Sequence, residues 1–213
     1  MRFDSNNVPQ NIFNSNDLAT YNFNAGTPTS GYTFAEDAQT PIWVFEWSIN
    51  TNLSGNGTDN LGDFTYKLEL DEDEGAGESI FAELDPIFGY APRPFPDHAI
   101  GDNDTDNGLG TTTTSLLNYN TLIGANNLAQ NSWSYVFFAP LFDIFDPNKA
   151  GTYTIRLSAF DGGVELASTS IDVVVSAAPV PAALPLFGSG LVILSGLAVA
   201  RRRRKNKADN AAS

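Results

Sequence analysis

Apolar residues recur with a period of two through much of the first 177 residues. Tyr153, Ile155, Leu157 and Ala159 alternate with Thr152, Thr154, Arg156 and Ser158, the pattern of a strand with one buried face. Asp161-Gly162-Gly163 follows and supplies the positive φ a tight turn needs, and Ser170 to Val175 is the predicted returning strand. Trp43, Phe45, Trp47 and Ile49 fall on one face of a predicted strand from Ile42 to Ile49. Phe64, Tyr66, Leu68 and Leu70 do the same over Phe64 to Leu70, with Thr65, Lys67 and Glu69 facing out. Trp133, Tyr135 and Phe137 alternate in a predicted strand from Trp133 to Phe138. Tyr21 to Phe23 and Tyr32 to Phe34 predict short strands, and Leu116 to Leu128 a turn of helix. Several short strands without a long helical period predict an all-β domain, an antiparallel β-sandwich spanning residues 1–177.

The alternation fails between Asp71 and Gln130. That stretch holds Asp71-Glu72-Asp73-Glu74, a proline-rich piece from Ala91 to His98, and the run Gly101 to Gly108 with three aspartates. It reads as long acidic loops on the sandwich.

A different pattern ends the chain. Ala182 to Ala200 contains no charged residue. As a helix it would be roughly 28 Å long, against a hydrocarbon core about 30 Å thick. Nine large apolar residues, Leu184 to Val199, each favour insertion by about 0.3–0.6 kcal/mol. Arg201, Arg202, Arg203, Arg204, Lys205 and Lys207 follow directly, and the positive-inside rule places such a cluster in the cytoplasm. A C-terminal transmembrane helix with the N-terminal domain on the far side is the expectation.

Charge sharpens this division. The formal net charge of −14 is uneven, because six of the 11 basic residues lie after Ala200. A strongly acidic N-terminal part repels nucleic acid and anionic surfaces, leaving cations, neutral polysaccharide or protein as partners. The chain has no cysteine, which excludes disulfides, thiolate catalysis and cysteine-ligated zinc.

Candidate chemistry is sparse. Asp102, Asp104 and Asp106 alternate ahead of Gly108, and hard oxygen ligands on a turning loop suit calcium. The EF-hand match is poor, since the glycine comes one position late and Thr113 stands where a glutamate is needed. The same residues also make ordinary solvated turns. Asp71 to Glu74 is a second acidic run of this kind. His98 is the one histidine and would have to serve any Ser-His-Asp triad, yet no serine outside the tail sits in a nucleophile-elbow pattern. Trp43, Trp47 and Trp133 are expected in the core, whereas Tyr90 and Phe95, among prolines, are the better candidates for stacking on sugar rings.

Two resemblances follow from these residues. Ala178, Pro179, Val180, Pro181 and Ala182, continuing to Leu184-Pro185, then the apolar stretch and the arginine cluster, resemble the PEP-CTERM class of bacterial sorting signals. The nearest subtype is the one named for a Val-Pro-Leu-Pro-Ala motif, from which two of the five positions differ conservatively. The resemblance implies a sorting signal over 178–207 recognised by an exosortase-type membrane transpeptidase. It further implies an inner-membrane precursor that is cut near the motif and passed to the cell surface or extracellular matrix. Such proteins carry a secretory signal peptide; the first seventeen residues here lack an apolar core, so the native start is expected upstream of Met1. Gly151-Thr152-Tyr153 followed by Ile155 resembles the penultimate strand of immunoglobulin-like domains, where the tyrosine forms a corner. The function expected is a non-enzymatic envelope or matrix protein without a cofactor, apart from the candidate calcium. A carbohydrate-binding module and a secreted hydrolase using paired carboxylates are the alternatives.

Overall fold

The computed structural model describes residues 2–3, 9–10, 19–26, 41–71, 73–75, 81–89, 98–138, 146 and 149–177. The predicted strand Tyr32–Phe34 and everything from Ala178 onward, including the predicted membrane helix, lie outside the described residues. Among the described residues no helix is long and apolar enough to cross a membrane. Met1–Ala177 forms one compact unit.

The strands are β1 (Arg2–Phe3), β2 (Pro9–Gln10), β3 (Thr20–Asn24), β4 (Phe45–Asn50), β5 (Thr65–Asp71) and β6 (Phe81–Leu84). They continue as β7 (Ala99–Gly101), β8 (Leu128–Trp133), β9 (Gly151–Asp161) and β10 (Val164–Ser176), with one α-helix, α1 (Leu116–Ile123). β1 and β2 pair with each other, a five-stranded sheet runs β3-β10-β9-β5-β6, and a three-stranded sheet runs β4-β8-β7. The two larger sheets share one core. Tyr66, Leu68, Tyr153, Ile155 and Val173 enter it from the five-stranded sheet, and Phe45, Trp47, Ile49 and Trp133 from the three-stranded one. Full burial of a side chain such as Leu68 contributes about 1.5–3 kcal/mol.

The period-two pattern places these residues well. Phe45, Trp47 and Ile49 are buried while Glu46 and Ser48 are exposed, and Tyr66, Leu68 and Leu70 are buried while Thr65 is exposed. Glu69, expected on the solvent face, is instead covered, because Lys67 Nζ lies 2.8 Å and Arg156 Nη1 3.7 Å from its carboxylate oxygens. The β9–β10 hairpin turns at Gly162 and Gly163, with φ of 54° and 86°, the left-handed values of a type I′ turn. β10 starts at Val164, six residues earlier than its predicted start, and carries a bulge between Glu165 and Ala167.

Three expectations are corrected. The sandwich is not wholly antiparallel: β3 runs parallel to β10, from Thr20 opposite Asp172 to Asn24 opposite Ser176. No hairpin joins the two strands, so the long intervening chain leaves the parallel sense open. The predicted strand Trp133–Phe138 is also different. The strand ends at Trp133, and Tyr135–Phe138 forms a 3-10 turn closed by the Phe137 N–H on the Ser134 carbonyl at 3.0 Å. Phe137 is consequently turned outward and Phe138 inward. Finally, the region read as long loops contains β6, β7 and the first half of β8, although 102–114 does remain irregular.

At the start of β9 the chain runs close to Glu74. A Cβ on Gly151 would lie 2.8 Å from the Glu74 carbonyl oxygen, so the strand can approach only without a side chain there. Two residues on, Tyr153 is buried and its hydroxyl donates to the Lys149 carbonyl at 3.3 Å. Burial, then the negative charges of Glu74, Asp146, Asp71 and Asp73, pushes this hydroxyl up to about 12.

Candidate functional site

The chain's one histidine is enclosed by aromatic side chains. His98 immediately precedes β7 and is fully buried. Trp47 stands edge-on to it at 4.9 Å, with Trp133 at 5.4 Å and Tyr119 at 6.0 Å between ring centroids. Its Nε2 faces the Pro86 carbonyl and its Nδ1 lies 2.9 Å from Asn131 Nδ2. The Ser132 N–H donates to Asn131 Oδ1 at 2.7 Å, which fixes the amide with its NH2 toward the ring. A carbonyl can only accept and an amide NH2 only donate, so the imidazole is neutral with its hydrogen on Nε2. Both ring nitrogens are thus engaged by the scaffold, which is a packing arrangement.

The partner carbonyl belongs to a turn that carries the chain from one sheet to the other. Asp85 organises it: its Oδ1 accepts from the Ile87 and Phe88 N–H groups at 2.8 and 2.9 Å, and its Oδ2 from the Tyr66 N–H at 2.9 Å. Burial still pushes the Asp85 carboxyl above the ordinary carboxylate value, against those three donors. The next carbonyl, of Ile87, accepts from the Tyr119 hydroxyl at 2.7 Å. Consecutive carbonyls therefore hold His98 and α1.

The acidic loop is exposed along most of its length but is tied down at particular residues. Asn103 makes the anchoring contacts. Asn103 Oδ1 accepts from Asn50 Nδ2 and Asn127 Nδ2, both at 2.8 Å, and Asn103 Nδ2 donates to the Asn52 carbonyl at 2.8 Å. Asp102, Asp104 and Asp106 are exposed, as is Asn103 itself. Asp102 Oδ1 accepts from the Asp104 N–H at 3.0 Å and the Thr105 hydroxyl at 3.2 Å, so this carboxylate folds the turn. Among the described residues no three His, Cys, Asp or Glu side chains gather as a metal ion would require.

In the other acidic run, Asp71 is almost wholly buried at the end of β5. Burial pushes its carboxyl up; the N–H groups of Asp73 and Thr154 pull it down, and the charges of Asp73 and Asp172 raise it again. Glu74 reaches out instead, 2.6 Å from Lys149 Nζ. Glu72 lies outside the described residues.

Two open clefts border the three-stranded sheet. One, about 230 Å3, is lined by Glu46, Gln130, Ser132, Asn107 and backbone around Ala99 and Gly108. Glu46 is its one acid, and Gln130 Nε2 holds the loop above it through the Asp106 and Leu109 carbonyls at 3.1 and 2.7 Å. The other, about 210 Å3, lies between β4 and the β9–β10 hairpin, with Ile49, Tyr66, Leu157, Ala159 and Thr169 in its walls. Both suit hydrogen-bonding or weakly apolar groups.

Trp43, Trp47 and Trp133 are all in the core, as the alternation predicts. Tyr90 and Phe95 lie outside the described residues, as do Ala178, Pro179, Val180, Pro181 and Ala182 of the candidate sorting motif and the basic cluster Arg201–Lys205. Pattern reading did not find Asp85, Asn131 or Gln130; the only trace of the last two is that Gln130-Asn131-Ser132 interrupts an otherwise apolar run before Trp133. No family model, no curated protein and no solved structure matches this chain.

Proposed function

We propose that the chain is a non-enzymatic, exported protein of the bacterial envelope or extracellular matrix, an immunoglobulin-like β domain delivered by an exosortase-type sorting tail. One observation carries the reading: the order of a proline motif at 178–185, an uncharged stretch at 182–200 and a basic cluster at 201–207. An apolar stretch near the minimum spanning length, stopped by arginines, holds a protein in the inner membrane until a membrane transpeptidase cuts near the motif. The tyrosine corner from Tyr153 to Lys149 supports the immunoglobulin-like part. The packing role of His98 fits a domain that binds or builds.

The test is expression behind a secretory leader, with and without residues from Ala178 onward, beside a candidate sorting enzyme. The expected product is a released domain lacking the apolar stretch, formed only when tail and enzyme are both present. A full-length chain that keeps its tail in the inner membrane would refute the sorting assignment.

A second reading, a carbohydrate-binding module, rests on the cleft of Glu46, Gln130, Ser132 and Asn107, whose amides and hydroxyl match sugar hydroxyls. A glycan array on the released domain separates the two.

A further inference from the structure

β10 is bordered by β9 from Val164 to Val175, but β3 covers only Asp172 to Ser176 on the other side. The half from Val164 to Ser170 is exposed at every residue. Asp172 turns its N–H to β3, donating to the Ala19 carbonyl at 2.8 Å. Backbone groups alternate in direction along an antiparallel ladder, so Ser168 and Ser170 turn both their N–H and C=O toward that same side, where no strand lies among the described residues. The edge carries neither lysine nor proline to block pairing. Beneath it, the three-stranded sheet stops at β4, which leaves the cleft walled by Ala167 and Thr169 open.

We propose that the Val164–Ser170 edge of β10 pairs antiparallel with the same edge of a second copy of this chain. Charge selects that occupant. The residues up to Ala177 hold five basic and 24 acidic side chains, so two copies repel over most of their surface. From Gly162 to Ile171 the only charge is Glu165, and Arg156 Nη2 stands 3.2 Å from its carboxylate. A basic partner is drawn to the acidic loops, whereas a like-charged copy can approach on this neutral strip. An antiparallel pair of identical edges is also self-complementary about a two-fold axis. With Thr169 on the axis, Ser168 meets Ser170 of the second copy in hydrogen-bonded register. The two Thr169 residues then form a close, non-hydrogen-bonded pair with Cα atoms about 4.5 Å apart. Val164 and Leu166, 65% and 57% exposed, flank the contact.

The absence of cysteine makes the test clean. Thr169→Cys in the full chain, kept in mild detergent and oxidised, is expected to form a covalent dimer, since about 4.5 Å lies within disulfide range. Leu117→Cys, on the exposed face of α1, is the control and should remain largely monomeric. By sedimentation the unmodified chain should associate at least tenfold more tightly than Ser170→Lys. Ser168→Pro, which removes only an outward N–H, should weaken association similarly, with both variants melting as the unmodified chain does. Equal cross-linking of the two cysteine variants, or association unchanged by Ser170→Lys and Ser168→Pro, overturns the proposal. So does an unmodified chain that sediments as a monomer at tens of micromolar.

Discussion

Asn131 donates from its Nδ2 to Nδ1 of His98 at 2.9 Å, and the Ser132 N–H on Asn131 Oδ1 prevents the amide from turning over. This joins β8 to the start of β7 through a ring that also reaches the turn after β6. Removing the ring takes the partner from a buried carbonyl and from a half-buried amide. His98→Phe is expected to cost about 2–4 kcal/mol in urea unfolding. A double-mutant cycle with Asn131→Ala should give a coupling of about 0.5–3 kcal/mol. A coupling near zero would mean that the histidine only fills space.

Asp71 is expected to make stability depend on pH. Its folded carboxyl is held above the ordinary value, with burial the largest cause. The folded state therefore binds the proton more tightly than the unfolded chain. The charged form opposes folding at neutral pH, and that opposition is relieved as pH falls through the folded value toward the unfolded one near about 3.9. Asp71→Asn, uncharged throughout, should melt higher than the unmodified domain at pH 7, with the gap closing as pH falls toward 4. A gap that widens on acidification would contradict the stated sign.

The Asp102 carboxylate separates turn-making from ion binding. Asparagine can accept the same Asp104 N–H and Thr105 hydroxyl contacts. Asp102→Asn should stay within about 0.5 kcal/mol of the unmodified protein, and Asp102→Ala should lose about 1 kcal/mol, with and without a calcium chelator. A calcium site would respond differently: calcium would raise the melting temperature and the asparagine variant would lose the effect.

The strands legible beforehand are those in which alternation is carried by large apolar side chains. β9 has Tyr153, Ile155, Leu157 and Ala159 on one face, and β4 and β5 have equally plain faces. β8 was not legible as it stands, because polar residues fill strand positions there. Gln130 is satisfied by two loop carbonyls and Asn131 by a histidine 33 residues away in sequence, and no periodicity encodes such partners. β7 is three residues long, too short to show a period. The Tyr153 hydroxyl's bond is local, four residues from hydroxyl to carbonyl. The Asp85 turn was not legible, since its donors come from Tyr66 as well as from its own turn. For Asp102, Asp104 and Asp106 the spacing was visible but its meaning was not. Asn103, between the first two, makes the bonds that tie the loop to Asn50, Asn52 and Asn127, and all three aspartates are left exposed.

The parallel pairing of β3 with β10 also bears on how the domain transmits force. The described chain enters this pair at Ala19 and leaves it at Ala177, at opposite ends of two adjacent strands. Tension applied to those two points pulls the strands past one another. All five register pairs from Thr20–Asp172 to Asn24–Ser176 are then sheared together, and none can peel away ahead of the rest. A domain anchored through its C-terminal side and pulled from its N-terminal side would meet that load at its most resistant seam.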